Sequence, residues 1–319
     1  MKLFDLKVGY SCNNKCTHCV ITEQRDALIE HAKKYDLSLD ECKSLIKNYI
    51  SHGIKGIVIT GGEPTIRSDL DKILAFCEEN KLDITLQTNG RKLMRNRLRN
   101  IYPHLTNFKA LVALHGAKAK THDEITLVKN SFHQTCAQLS EFFALGFHAT
   151  VKVVMNRNNI NELTDIVHLV HMLGGSSINF AYPHGLGDAK KNFNEIAPSY
   201  SELKPHLAKL IEVAEKLNIE IEFEAIPFCI LKHNLTLVGE LKYARQEIIC
   251  SPVNQKSFDW DEVRLGIKMK GKQCANCDFD MLCEGPWSEY IEYFGSEELK
   301  PLITQNPEFA IYINSLSIT

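Results

Sequence analysis

Cys12, Cys16 and Cys19 lie within the eight residues CNNKCTHC, with three and then two residues between them. Thiols this close in sequence rarely serve a packed core; as thiolates they are metal ligands. Three of them can ligate three irons of a cubane 4Fe–4S cluster and leave the fourth iron open to a reactant. Two alternatives stay open on spacing alone. A structural zinc wants four ligands, often as two separated pairs, and His18 is poorly spaced to complete the set. A ferredoxin-like carrier would hold a fourth cysteine nearby, and none stands between Cys19 and Cys42.

Two further stretches have the composition of ligand-contacting loops. In Gly61-Gly62-Glu63-Pro64 the glycines permit close backbone approach, Glu63 offers an acceptor to an ammonium group and Pro64 stiffens the turn. Thr88-Asn89-Gly90 is a weaker signal, because Asn-Gly is a common turn. A second thiol cluster comes late in the chain, at Cys274, Cys277 and Cys283 in CANCDFDMLCEGPWSEY, with iron–sulfur spacing and zinc as its alternative.

The elements that position these motifs follow from periodicity. Ser38-Leu39-Asp40-Glu41 has the form of a capping box, and Cys42, Leu45, Ile46, Tyr49 and Ile50 continue it as one helical face ended by Gly53. Short apolar runs read as strands at 3–9, 56–60, 83–87, 108–114, 150–155, 177–181 and 220–224, with helical patterns at about 70–77, 91–102, 132–145, 160–172 and 200–217 between them. Six strand–helix units before residue 218 predict parallel strands buried on both sides, in a partial (β/α)6 barrel of the α/β class; a doubly wound sheet is the alternative. In either, the loops after the strand C-termini carry the chemistry, and the three motifs follow the first three strands. The pattern becomes irregular near residue 225, so the reading divides the chain into a barrel, 1–218, and a small extension, 219–319, that a metal would help to stabilise.

Composition narrows the setting. A formal charge of −2 in 319 residues supplies no excess cation for phosphates, so neither nucleic acid nor an anionic membrane is expected as a partner. No stretch has the form of a signal peptide or a membrane span, which predicts a cytoplasmic protein. Eleven cysteines in a reducing compartment are then metal ligands or core thiols rather than a disulfide framework, and Cys42, Cys77 and Cys136 fall on apolar helical faces as core thiols.

CNNKCTHC, TGGEP and QTNG, each after a successive strand, resemble the radical S-adenosylmethionine (SAM) enzymes over about residues 3–182. The resemblance implies that Cys12, Cys16 and Cys19 hold the cluster, whose open iron binds the amino and carboxylate groups of SAM. It implies that Gly61, Gly62 and Glu63 contact the SAM ammonium, that His18 packs near adenine and that Asn89 lies near the ribose. His115 and Asn156, after the fourth and fifth strands, fall where family members add SAM or substrate contacts. The implied chemistry is reductive cleavage of SAM to a 5′-deoxyadenosyl radical that abstracts a substrate hydrogen, with a flavodoxin- or ferredoxin-type electron donor. No acid or base can be assigned.

The tail resembles the twitch and SPASM extensions of that family, and Tyr290 and Gly295 continue the likeness. With Cys229 and Cys250 as the remaining thiols there are too few for two more cubanes, so one auxiliary 4Fe–4S cluster is expected, with Cys229 favoured over Cys250 as fourth ligand, or else an open site used by substrate. Trp287, Tyr290, Tyr293 and Phe294 offer either packing around that cluster or an aromatic patch for a partner. Relatives of this kind mature ribosomally synthesised peptides by crosslinking or epimerisation, and others oxidise or rearrange small molecules such as amino sugars, nucleotides and cofactor precursors. Eleven residues precede Cys12, so no fused N-terminal peptide-recognition domain is expected, which weakens the peptide reading without removing it, because such a domain can be a separate protein. A two-cluster electron carrier is the remote alternative.

Overall fold

The computed structural model describes residues 1–232, 234–243 and 246–304. Its strands are β1 (Lys2–Lys7), β2 (Gly56–Thr60), β3 (Asp83–Thr88), β4 (Phe108–Ala113), β5 (Ala149–Val154), β6 (Ser177–Ala181), β7 (Glu220–Glu224), β8 (Glu247–Ser251) and β9 (Phe258–Asp259). They form one sheet in the order β7-β6-β5-β4-β3-β2-β1-β8-β9. β1 to β7 are parallel and each pairs with its sequence neighbour. Right-handed crossovers between strands added always on the same side put every helix on one face, so the sheet curls as a partial barrel with an open concave side.

The helices form where the sequence supplies amphipathic runs and caps. Ser38 accepts from the Glu41 N–H while the Glu41 carboxylate accepts from the Ser38 N–H, and the helix Leu39–Ser51 begins there. Ser199 and Glu202 start the helix Tyr200–Lys216 in the same way. Cys42 and Cys77 are fully buried, as expected of core thiols, whereas Cys136 is half-buried. The stretch after Gly90 turns before its helix, which is confined to Asn96–Ile101.

Burial alternates along β3 and β5, whereas it is nearly continuous along β2 and β6. Ile84, Leu86 and Thr88 of β3 are buried while Asp83, Thr85 and Gln87 are half-buried; in β5, Val151 and Val153 are buried and Thr150 and Lys152 are not. The helix-covered face is apolar, and an open concave face takes polar side chains that can meet water or a ligand. Polar pairs line that face: Thr60 donates to Gln87 at 3.0 Å, Asn179 to Glu222 at 2.6 Å, and Lys152 meets Glu224 at 2.6 Å.

The segment beyond residue 218 joins the same sheet. β7 pairs with β6, and β8 returns to the opposite edge to pair in parallel with β1, Cys250 alongside Asp5. The tail aromatics seat it on the barrel: Tyr290, fully buried, stacks on Tyr200 with ring centroids 4.0 Å apart and accepts from the Tyr200 N–H, and Phe193 packs against Tyr293 and Phe294. The patch expected of these aromatics is thus largely spent on the barrel. No described helix is long and apolar enough to cross a membrane.

Candidate active site

The cysteine loop leaves β1 and is pinned on several sides. Asp36 accepts from the N–H groups of Tyr10 and Ser11 at 2.9 and 3.0 Å and from the Ser11 hydroxyl. Lys15 and Thr17 N–H donate to the carbonyls of Thr126 and Ile125 at the end of the helix Ala119–Thr126, and the Cys19 carbonyl accepts from Asp188 N–H at 2.8 Å. These partners lie up to 169 residues away, so the loop is shaped by the tertiary fold rather than by its own turns.

Within that frame the charges of the three thiols bear on one another. Burial pushes the Cys12 thiol up to about 11, with Glu63 and Cys19 adding to the rise, and it pushes Cys16 higher still, with Cys19 and Cys12 adding to it. Cys19 also moves up through burial. Three thiols that burial and mutual repulsion keep protonated fit a cationic group that would draw off their protons. Among the described residues no three His, Cys, Asp or Glu groups converge as a single metal ion requires. Three cysteines are the donor set that a cubane takes, one thiolate at each of three irons.

The Gly-Gly-Glu-Pro loop lies directly against the stem of the cysteine loop. Gly62 N–H donates to the Gly9 carbonyl and Glu63 N–H to the Ser11 carbonyl, both at 2.8 Å. Gly61 has φ +125°, and a Cβ there would come 2.1 Å from the Gly9 oxygen; one on Gly62 would come 2.2 Å from the Ser11 oxygen. The close approach that the glycines allow is therefore to the protein's own backbone.

Glu63 is 2% exposed and its carboxylate accepts four hydrogen bonds: from Thr65 N–H and hydroxyl at 3.0 and 2.6 Å, and from Thr88 hydroxyl and Asn89 N–H at 2.6 Å each. Burial pushes its pKa up, against these bonds, which favour the ionised form. Asn89 in turn donates to the Asn13 side chain at 2.7 Å, so the loops after β1, β2 and β3 are one connected unit.

His18 and His115 come together, ring centroids 4.5 Å apart and edge to face, and His122 lies parallel to His115 at 6.0 Å. His115 Nδ1 accepts from Val154 N–H, and His122 Nδ1 accepts from His115 N–H, which puts the proton of each neutral ring on Nε2. Burial pushes His18 and His122 down to about 4 and His115 well below its usual value. Asn156 is buried, with its side chain taken up by the turn after β5, where it donates to Val154 carbonyl and accepts from Asn158 N–H. The neighbouring Asn159 bridges the loops after β4 and β5 by donating to the carbonyls of His115 and Val154, both at 2.9 Å. Asp36, His122 and Asn159 have no spacing that would single them out in the sequence.

In the tail, Cys229 stands on the short helix Phe228–Leu231 after β7, and the charges of Cys283, Cys274 and Cys277 bear on its thiol, which burial pushes up to about 11. Leu302 N–H donates to Cys277 Sγ at 3.4 Å. Cys250 is elsewhere, 6% exposed in β8, with Asp5 and Lys7 as its neighbours.

The family model of the radical SAM superfamily matches residues 6–170, just over half of the chain. The chain belongs to the radical SAM superfamily, whose members are enzymes that work with a 4Fe–4S cluster and SAM. It is an enzyme of that class. An AdoMet-dependent heme synthase of Methanosarcina barkeri is 26% identical over 221 residues, 69% of this chain and 61% of that protein. The chain spans about half the length of the curated relatives that head the comparison. A probable GTP 3',8-cyclase of Saccharolobus islandicus is 24% identical over 321 residues, 96% of each chain. Streptococcus suis SuiB bound to the precursor peptide SuiA has the same fold, with a TM-score of 0.67 at 16% identity over 94% of this chain and 74% of that one.

Proposed function

We propose that Cys12, Cys16 and Cys19 hold the SAM-binding cluster of a peptide-modifying radical SAM enzyme, and that Cys229, Cys274, Cys277 and Cys283 hold one auxiliary 4Fe–4S cluster in a twitch-like extension over 219–319. Of that extension, residues 233, 244–245 and 305–319 lie outside the described residues. When bound, the cluster and SAM supply a 5′-deoxyadenosyl radical that removes a hydrogen atom from the substrate. The chain's own residues supply position and shelter from water. Glu63 braces the loops after β2 and β3, Asp36 holds the stem of the cysteine loop, and His18 with His115 forms an apolar-faced wall beside it. A flavodoxin- or ferredoxin-type protein in the cytoplasm would deliver the electron.

The reading rests on one observation: Cys12, Cys16 and Cys19 stand on a loop hydrogen bonded to the Gly-Gly-Glu-Pro loop and, through Asn13 and Asn89, to the turn after β3. A peptide substrate is supported by SuiB, which shares the fold along most of this chain and binds its precursor peptide. A second reading, a small-molecule substrate such as a nucleotide or cofactor precursor, is favoured by the probable GTP 3',8-cyclase, which aligns over nearly the whole of both chains. Anaerobically reconstituted protein should bind about eight irons, four per cubane. Replacing Cys12, Cys16 and Cys19 together should halve the iron and abolish reductive cleavage of SAM; cleavage at an undiminished rate would sink the assignment.

A further inference from the structure

The loop after β6 and the tail helix Ser288–Phe294 meet at polar side chains that stop short of each other. His184, three residues past β6, stacks on Trp287 with ring centroids 4.1 Å apart and planes 20° from parallel. Glu289 rests on the same loop: a Cβ on Gly185 would come 2.5 Å from Glu289 Cγ, so the stem of the carboxylate lies directly on the Gly185 backbone. His184 Nε2 and Glu289 Oε1 are then 3.7 Å apart, too far for a hydrogen bond.

Three atoms here are buried and have no hydrogen-bond partner among the described residues: His184 Nε2, Glu289 Oε2 and Trp287 Nε1. Trp287 is 4% exposed. Buried polar groups are rarely left unpaired, because each has given up its bonds to water, and three in one place call for a partner from outside the chain. The trio adjoins both thiol clusters. Asp188, four residues after His184, donates its N–H to the Cys19 carbonyl at 2.8 Å, and Trp287 follows Cys283 by four residues.

The trio offers one fixed donor, the indole N–H, one carboxyl oxygen that accepts, and an imidazole nitrogen that does either according to its tautomer. The charges around it are already matched: Lys268, 3.9 Å from the Trp287 ring centroid, is bonded to Glu240 at 3.0 Å, and Glu224 holds Lys152 at 2.6 Å. Burial moves Glu289 up and His184 down to about 4, each toward its neutral form. An ammonium group would leave the indole N–H unmet, and a carboxylate would face Glu289. A neutral amide presents C=O and N–H on one group and satisfies donor and acceptor together.

Resting on the peptide-modifying reading above, we propose that His184, Trp287 and Glu289 form a substrate subsite for a neutral amide edge, a peptide amide on that reading, with its C=O on the indole N–H and its N–H on Glu289. The lactam of a purine base is the other source of the same chemistry.

The test is saturation-transfer NMR on the iron-reconstituted full chain, with N-acetylglycinamide as the peptide probe, guanosine as the lactam probe, and acetate and methylammonium as charged controls. N-acetylglycinamide should bind saturably and the controls should not. His184→Phe, which keeps the stack and loses the nitrogen, and Glu289→Ala should each weaken that probe about tenfold, the loss of about one hydrogen bond. Glu289→Gln, which keeps a neutral acceptor, should bind as the wild type does. Where Glu289→Ala does not fold, His184→Phe carries the comparison. The proposal is overturned if neither amide probe binds the wild type, if a charged control binds as well as they do, if Glu289→Gln weakens binding as much as Glu289→Ala, or if the folded His184→Phe protein binds unchanged. If guanosine binds with this dependence on His184 and Glu289 while N-acetylglycinamide does not, the amide-edge subsite is upheld and the peptide reading beneath it fails.

Discussion

Glu63 shows how far one side chain can be committed before any ligand arrives. The sequence suggests a carboxylate waiting for an ammonium group, and its fold position has four protein donors already bound to it. Three of them share Oε1, which leaves room for a ligand only on Oε2, beside Asn89 N–H. In Glu63→Gln the amide oxygen would keep the three-donor side and its NH2 would face the Asn89 N–H, donor against donor. We expect a loss of about 1–3 kcal/mol in stability together with weaker SAM binding, measured by urea denaturation and calorimetry; unchanged values for both would remove Glu63 from the site. His184 carries a prediction of another kind. It follows β6, stacks on Trp287 of the tail with centroids 4.1 Å apart, and burial pushes its pKa from 6.5 to about 4. Between those values the unfolded chain takes a proton that the native one refuses, so stability present above pH 6.5 is lost as the pH falls toward 4. One such histidine contributes a slope of at most about 1.4 kcal/mol per pH unit. His184→Phe should therefore show a smaller drop in denaturation midpoint from pH 7 to pH 5 than the wild type. Equal drops would mean that His184 titrates normally.

At the scale of elements, β8 bears on the proposed choice between two candidate ligands. Its parallel pairing with β1 carries Cys250 to Asp5 on the barrel edge, while the helix after β7 carries Cys229 toward the three tail thiols. Cys229→Ala should change the spectrum of the auxiliary cluster in protein lacking Cys12, Cys16 and Cys19. Cys250→Ala should leave that spectrum unchanged and cost stability through a cavity in the sheet edge; the reverse pattern would exchange their roles. The first seven strands and the three motif loops were legible in the sequence because their signals are local: contiguous apolar runs, capping residues and paired glycines. β8 was not, since Ile248, Ile249 and Cys250 make too short a run to announce a strand and its partner is the opposite end of the chain. Asp36 was illegible for the same reason: it holds Ser11 from 25 residues away and is not a residue type unusual for a loop.

For the whole molecule the question is how independent the barrel and the tail are. They share a sheet, and the contacts between them include Tyr290 on Tyr200 and His184 on Trp287. None of these contacts involves Cys12, Cys16 or Cys19, whose loop is held by Asp36, Thr126, Ile125 and Asp188. Removing Cys274, Cys277 and Cys283 should therefore leave the barrel site able to cleave SAM without substrate, while product formation stops. The tail should loosen at the same time, because a small segment held by metal loses the binding free energy along with its ligands. Protease digestion should then cut first between residues 268 and 300, with the fragment ending before 268 retaining the barrel's iron. Loss of SAM cleavage in the same variant would mean that the shared sheet transmits disorder from the tail to the cysteine loop, and zinc in place of iron at the tail thiols would end the auxiliary-cluster assignment.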